Sequence, residues 1–195
     1  VVTCRGVTTD LDRVECLRLE AAFARDVGAD LLGTAEDAPA LAAAAGVRLR
    51  DNETWEDLFF RLLLAHVEPR IGRAHPTFLT HWPAAQAALA RRDPTDPRVA
   101  ERFELFVCGI ELANAFVELT DAAEQRARFE VDRARRHALA REAPAAEPDQ
   151  DWALDEDFLA ALAHGMPQAA GIALGFDRLA MIAAGAQRID QVLWL

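Results

Sequence analysis

Two glutamates, Glu104 and Glu111, flank the turn-like pair Cys108-Gly109, and the runs on either side, 102–107 and 110–119, have the branched and aromatic content of strands. A two-residue turn opposes Val107 with Ile110, Phe106 with Glu111 and Glu104 with Ala113, so both glutamates project from one face of a hairpin. Carboxylates brought that close repel unless a cation or a shared proton compensates. Hard oxygen donors of this kind suit Mg²⁺ that also holds phosphates. The other reading is a solvated sheet face that carries both acids, and spacing does not choose between the two. Farther along the second strand, Asn114, Phe116 and Glu118 share a face by the period of two. An amide, an aromatic wall and a carboxylate in that order suit a primary ammonium. In a regular strand this trio faces away from Glu111, so a pocket that uses both groups demands a bulge or strong twist near Leu112-Ala113.

A second constellation lies near the end of the chain. Gly171, Ala173 and Gly175 alternate with Ile172 and Leu174 as in a strand, and 176–181 opens a helix. The small residues clear one face, letting a flat ligand approach the backbone with Arg178 beside it to bind phosphate. Close helix packing also uses small residues, and the pattern alone leaves both readings open.

The elements that must position these groups follow from periodicity and punctuation. Helices are expected over 17–27, 36–45 (Thr34 as cap, Gly46 as stop) and 54–67, then a strand over 77–82 ended by Pro83 and a short helix over 84–91. A long polar helix runs from 121 to about 142 with Thr120 or Asp121 as cap. Its Arg126, Arg128, Arg133, Arg135, Arg136 and Arg141 are interleaved with Glu130 and Asp132, the pattern of a solvated face. Residues 143–151 read as a surface loop and 155–164 as a helix. The first sixteen residues are ambiguous.

With 195 residues, 52% of them apolar, one domain over 1–195 is expected. There is no run of eighteen apolar residues and no signal-peptide pattern, so no membrane association is expected. Cys4, Cys16 and Cys108 form neither a disulfide framework nor a thiolate zinc pattern, which suits a reducing cytoplasm. A net charge of -11 disfavours sequence-independent binding of nucleic acid, which rests on basic side chains neutralising phosphates.

The run Gly171-Ile-Ala-Leu-Gly-Phe-Asp-Arg178-Leu resembles motif 3 of class II aminoacyl-tRNA synthetases, here at 171–179, and Phe103-Glu-Leu-Phe-Val-Cys-Gly-Ile-Glu-Leu-Ala-Asn-Ala-Phe-Val-Glu118 is similar to the lysyl branch of that class. Within the branch, Gly109-Ile-Glu-Leu-Ala-Asn114, Pro76-Thr-Phe-Leu-Thr-His-Trp-Pro-Ala-Ala-Gln-Ala-Ala-Leu89 and Ala100-Glu-Arg-Phe-Glu104 are similar to the family of lysine ligases that modify elongation factor P. The likeness runs from about Glu53 to Leu195 and weakly back to Leu17. It implies an α+β fold, an antiparallel sheet flanked by helices, as the carboxyl-terminal portion of a class II catalytic core. Motifs 1 and 2 are not found. The chain is therefore expected to be a truncated piece, inactive alone, with an open sheet edge where the rest would pair.

By the same resemblance Glu104 and Glu111 hold ATP and Mg²⁺, and Gly171, Gly175 and Arg178 bind ATP, with Arg178 as the catalytic phosphate ligand. Asn114, Phe116, Glu118 and Ala173 form the amino-acid pocket, with Glu118 facing the side-chain ammonium. Ala115 stands where the family has Gly. The implied reaction is ATP-dependent activation of (R)-β-lysine or lysine to an aminoacyl-adenylate and its ligation to a lysine of elongation factor P in the cytoplasm, by a full-length homodimer. A lysyl-tRNA synthetase core that charges tRNA is the rival enzyme, and a non-catalytic synthetase-like binding module the rival of another class.

Overall fold

The computed structural model describes residues 1–34, 36–142 and 153–193. Its centre is a five-stranded sheet of β3 (Glu15–Arg18), β4 (Thr77–Pro83), β5 (Val99–Val107), β6 (Ile110–Val117) and β7 (Ala170–Leu174), adjacent in that order. Neighbouring strands from β4 to β7 run antiparallel, but β3 pairs parallel to β4, so the sheet is mixed rather than the antiparallel one expected. A helix-containing crossover must join β3 to β4, and the helices between them supply it. The ambiguous first residues form a separate hairpin, β1 (Val2–Cys4) with β2 (Val7–Thr9). The edge strands are β3 and β7, and β7 is exposed along its whole length.

Each face of the sheet carries its own core. On one face α1 (Leu19–Asp26), α2 (Ala38–Ala44) and α3 (Trp55–Leu62) pack Phe23, Leu41, Leu58 and Phe59 against Leu79, Trp82 and Phe106 of the strands. Phe59 stacks on Phe23 and Trp55 with ring centroids 5.4 and 5.2 Å apart and meets the Trp82 ring edge-on. Thr54 and Asp57 close a capping box that starts α3. Asp37 rather than Thr34 caps α2, accepting from the Ala40 N–H, while the Thr34 hydroxyl accepts from the Trp55 indole inside the core. The third expected helix has the expected reach, but its last turn widens to a π turn over Leu63–Val67 before Glu68–Arg70.

On the opposite face, α6 (Phe176–Ala184) places Met181 and Ile182 against Leu105, Val107, Ile110 and Leu112, with Cys4 from the hairpin. The polar helix, α4 (Ala122–Glu142), has Asp121 as its cap and packs on α5 (Glu156–His164). Arg126 pairs with Glu156 and Arg135 with Glu56 as expected of a solvated face, whereas Arg128, paired with Glu124, is largely covered. The loop expected over 143–151 lies outside the described residues. None of the helices among the described residues is long and apolar enough to cross a membrane.

The short helix expected over 84–91 is one 3₁₀ turn, Ala84–Gln86. Beyond it the backbone is taken by the strands: the Arg91 N–H donates to the Val117 carbonyl, and the Leu119 N–H to the Leu89 carbonyl. Ala87 and Ala90 pack with Ala100 and Phe116. Tertiary partners override the helical preference of alanine here.

Gly72 shows how tightly the hairpin is seated. It has a φ of 63°, and a Cβ there would lie 2.7 Å from the Phe106 carbonyl carbon. Left-handed strain and overpacking add, so Gly72→Ala is expected to lower stability by about 3 kcal/mol in urea unfolding. A loss under about 1 kcal/mol would contradict this packing.

Candidate active site

The site is built by the β5–β6 hairpin. Cys108 and Gly109 have φ of 54° and 69°, positive at both central positions as a two-residue hairpin turn requires. The expected pairs Val107 with Ile110 and Phe106 with Glu111 are present, but Glu104 pairs with Asn114, not Ala113, because Leu105 faces Ala113 and Leu112 is the extra residue of a bulge. Leu112 packs into the core beneath α6 beside Leu105. With Leu112 absorbed on that side, Glu111 and Asn114 emerge on the same face. The bulge demanded by the sequence is at the position named.

Arg178, at the start of α6, reaches across to the hairpin, where its Nη1 donates to the Glu111 carbonyl (2.7 Å) and to Glu111 Oε2 (3.1 Å). The side chain of Arg178 also lies over Gly175, where a Cβ would stand 3.2 Å from Arg178 Cδ.

Glu104 is 7% exposed. Its Oε1 accepts from Arg102 Nη2 (2.8 Å) and from Asn114 Nδ2 (3.0 Å). Burial pushes its carboxyl up from an ordinary 4.5 to about 7; Arg102 opposes the rise, and the nearby charges of Glu111 and Glu68 add to it. Burial likewise raises Glu68, with Glu111 contributing. Glu68, just beyond the π turn, was not singled out in the sequence. Its one signal is that turn, a device frequent at functional sites but invisible to periodicity.

Farther along β6 is a cavity of about 460 Å³ lined by Ala87, Ala88, Arg102, Asn114, Phe116, Glu118, Gly171, Ile172 and Ala173. The expected pocket residues Asn114, Phe116, Glu118 and Ala173 thus share one wall system. β6 pairs with β7 so that Asn114 opposes Ala173 and Phe116 opposes Gly171. A Cβ on Gly171 would stand 2.9 Å from Glu118 Oε1, so glycine there leaves room for the carboxylate. Ala115, between Asn114 and Phe116, points to the other face, is buried in ordinary extended backbone and does not line the cavity. Arg102 was not among the expected site residues; in sequence it reads only as the first residue of a strand.

The result is a strip along β6. The Glu111–Arg178 pair is at one end, the buried Glu104 lies between, and the cavity with Glu118 is at the other end, over roughly 20 Å at strand rise. A guanidinium paired with a carboxylate at one end and a carboxylate beside an aromatic ring and an amide at the other are set along one sheet face. Such a strip can hold a phosphate chain next to a small cationic molecule.

The sheet and its helices, with this arrangement of motifs, define a class II synthetase domain: residues 45–195 match the family of class II tRNA synthetases for D, K and N, and the chain belongs to that family. Curated relatives similar to it include elongation factor P–(R)-β-lysine ligases. That of Edwardsiella ictaluri is 46% identical over 188 residues, covering 94% of this chain and 55% of the relative. That of Hamiltonella defensa is 44% identical over 197 residues, with 99% and 56% covered, and one from Haemophilus influenzae is 45% identical over 186 residues, with 94% and 55% covered. The likeness therefore covers nearly the whole chain, including the stretch before Glu53 over which the sequence motifs carried it only weakly, back to Leu17. The chain spans about half the length of the curated relatives it matches.

The raised Glu104 carboxyl has a consequence for stability. Its folded value lies above the unfolded one, so its contribution is fully present below about pH 4.5 and is lost as pH rises through about 7. Glu104→Gln removes that loss. Relative to the parent, the variant should gain on the order of 3 kcal/mol between pH 4 and pH 8 in denaturant unfolding. Parallel stability curves for the two proteins would rule out a raised carboxyl.

Proposed function

We propose that this chain is the carboxyl-terminal catalytic portion of a ligase that activates (R)-β-lysine with ATP and transfers it to a lysine of elongation factor P in the cytoplasm. The observation that carries the reading is the Leu112 bulge, which sets the Glu111–Arg178 pair and the Asn114–Phe116–Glu118 cavity on one face. The names of the relatives supply the substrate and the acceptor.

In this reading Glu118 pairs with the side-chain ammonium of the amino acid at the far end of the cavity, with Phe116 and Ala173 bounding its carbon chain. Asn114 receives the second amine. The amino-acid carboxylate is thereby aimed along β6 toward the nucleotide. A carboxylate oxygen attacks the α-phosphorus, the bond to the β-phosphate breaks, and pyrophosphate leaves. The amine of the acceptor lysine then attacks the acyl carbon, AMP departs, and the amine gives up a proton. Positioning and charge neutralisation accomplish this without a side-chain nucleophile. Arg178 exchanges its contact with Glu111 for a phosphate oxygen, and Gly171 and Gly175 admit the nucleotide close to the backbone.

Glu104 and Glu111, with Glu68 nearby, form a carboxylate donor set whose mutual repulsion a divalent cation relieves. Among the described residues no group of three or more acids, histidines or cysteines is arranged to hold a metal by itself. Mg²⁺ takes one or two carboxylates and completes its shell with phosphates and water, so Glu104 and Glu111 suffice in this reading. Bound there, Mg²⁺ would offset phosphate charge.

In the full-length protein, Glu118→Ala is expected to abolish (R)-β-lysine binding measured by calorimetry while ATP still binds; unchanged affinity would refute the assigned role. Presenting elongation factor P and tRNA separately as acceptors of labelled amino acid should label the protein. Labelling of tRNA instead would make the chain part of a lysyl-tRNA synthetase.

A further inference from the structure

The Arg102 guanidinium lies over the Trp82 ring, its central carbon 4.3 Å from the ring centroid. From that seat it donates in three directions: Nη1 to the Gln86 carbonyl (2.7 Å), Nη2 to Glu104 Oε1 (2.8 Å) and Nε to Asn114 Oδ1 (3.3 Å). Asn114 closes the circuit by donating Nδ2 to the same Glu104 oxygen (3.0 Å). Three side chains and the loop carrying Ala87 and Ala88 are thus tied at one point on the cavity wall. The seat is itself made by tertiary structure: β4 carries an irregularity between Thr80 and Trp82, with His81 at a φ of 58°, where the chain shifts register just before the indole.

An asparagine amide can present either its oxygen or its nitrogen to a ligand, and the two orientations differ by a half-turn of nearly equal shape. Here both ends are specified. The carboxylate accepts only from nitrogen, and the guanidinium donates only to oxygen, so the two partners agree on one orientation. One Oδ1 lone pair is then left as an acceptor at the cavity. The guanidinium lines the cavity with Asn114, and its Nε, Nη1 and Nη2 are each engaged, on the amide, the loop and the acid.

We propose that Arg102 is a positioning residue that fixes the Asn114 amide with its oxygen available to an amine of the bound diamino acid, and so sets the affinity of the cavity for that amine. The inference rests on the amino-acid reading of the cavity given above. It assigns a role to a residue that sequence motifs leave aside. It also explains why an arginine within β5 is held on four sides.

The test is a double-mutant cycle in the full-length protein with (R)-β-lysine as probe, followed by ligand-observed NMR titration, which reads weak affinities. Arg102→Lys keeps a positive charge beside Glu104 but lacks the planar fork that serves the loop, the acid and the amide together. Binding should weaken about tenfold, as expected for a lost or misaligned hydrogen bond to a charged group. In an Asn114→Ala background the same substitution should change affinity less than twofold, because the group through which it acts is gone. An equal loss in both backgrounds, or no loss in the parent, overturns the inference. Arg102→Gln, run in parallel with melting curves, keeps the result readable if the lysine variant unfolds. Binding to the parent that Glu118→Ala removes but Arg102→Lys leaves intact would discard this inference alone, whereas a parent that binds no diamino acid discards the cavity reading with it.

Discussion

One extra residue in a central strand governs this site. Leu112 is squeezed out of the ladder between β5 and β6, and because side chains alternate along a strand, its insertion reverses the facing of everything beyond it. Its apolar side chain makes the insertion stable: it enters the core under α6, beside Leu105 and Ile110. A polar residue at 112 would have to be buried there without a partner. The apolar packing on one face of the sheet therefore determines which polar groups meet on the other.

The charges on that face are poised rather than satisfied. Glu104 is buried with one guanidinium and one amide as partners, yet burial and the acids around it keep its carboxyl near neutrality. Glu111 is bound to Arg178, which a phosphate would compete for. A fully compensated network would rigidify the region and leave little electrostatic reward for a ligand. This one leaves a deficit of positive charge at the carboxylates and a displaceable cation on Arg178, an arrangement that the proposed metal-bound nucleotide would relieve.

The scaffold divides its labour between faces. α1 to α3 build the larger core over Leu79, Trp82 and Phe106, and this rigid base carries the indole beneath Arg102. α6 builds the smaller core and swings Arg178 to the hairpin. α4 contributes at a distance: Arg128 donates to the carbonyls of Ala88 and Ala90 and so holds the loop that closes the cavity. What looked like a merely solvated arginine helix thus has one member turned inward.

Much of this was legible along the chain. Period-two spacing fixed the pairing nearest the turn, the grouping of Asn114 with Phe116 and Glu118 and the small-residue face of Gly171 and Ala173, because strand geometry is local and repeats. Even the bulge was demanded before it was seen, since two groups on opposite faces cannot share a pocket. The parallel β3, the unwound 84–91 segment and the participation of Glu68 and Arg102 were not legible. Each depends on a partner distant in sequence: Thr77 to Thr80 beside β3, the end of β6 beside the alanine loop, and Glu111, Trp82 and Gln86 around the two charged residues. Composition and spacing determined which residues could do chemistry. Burial and long-range pairing decided which of them meet and in what ionisation state, because desolvation and hydrogen bonding exist only once the chain has closed around them.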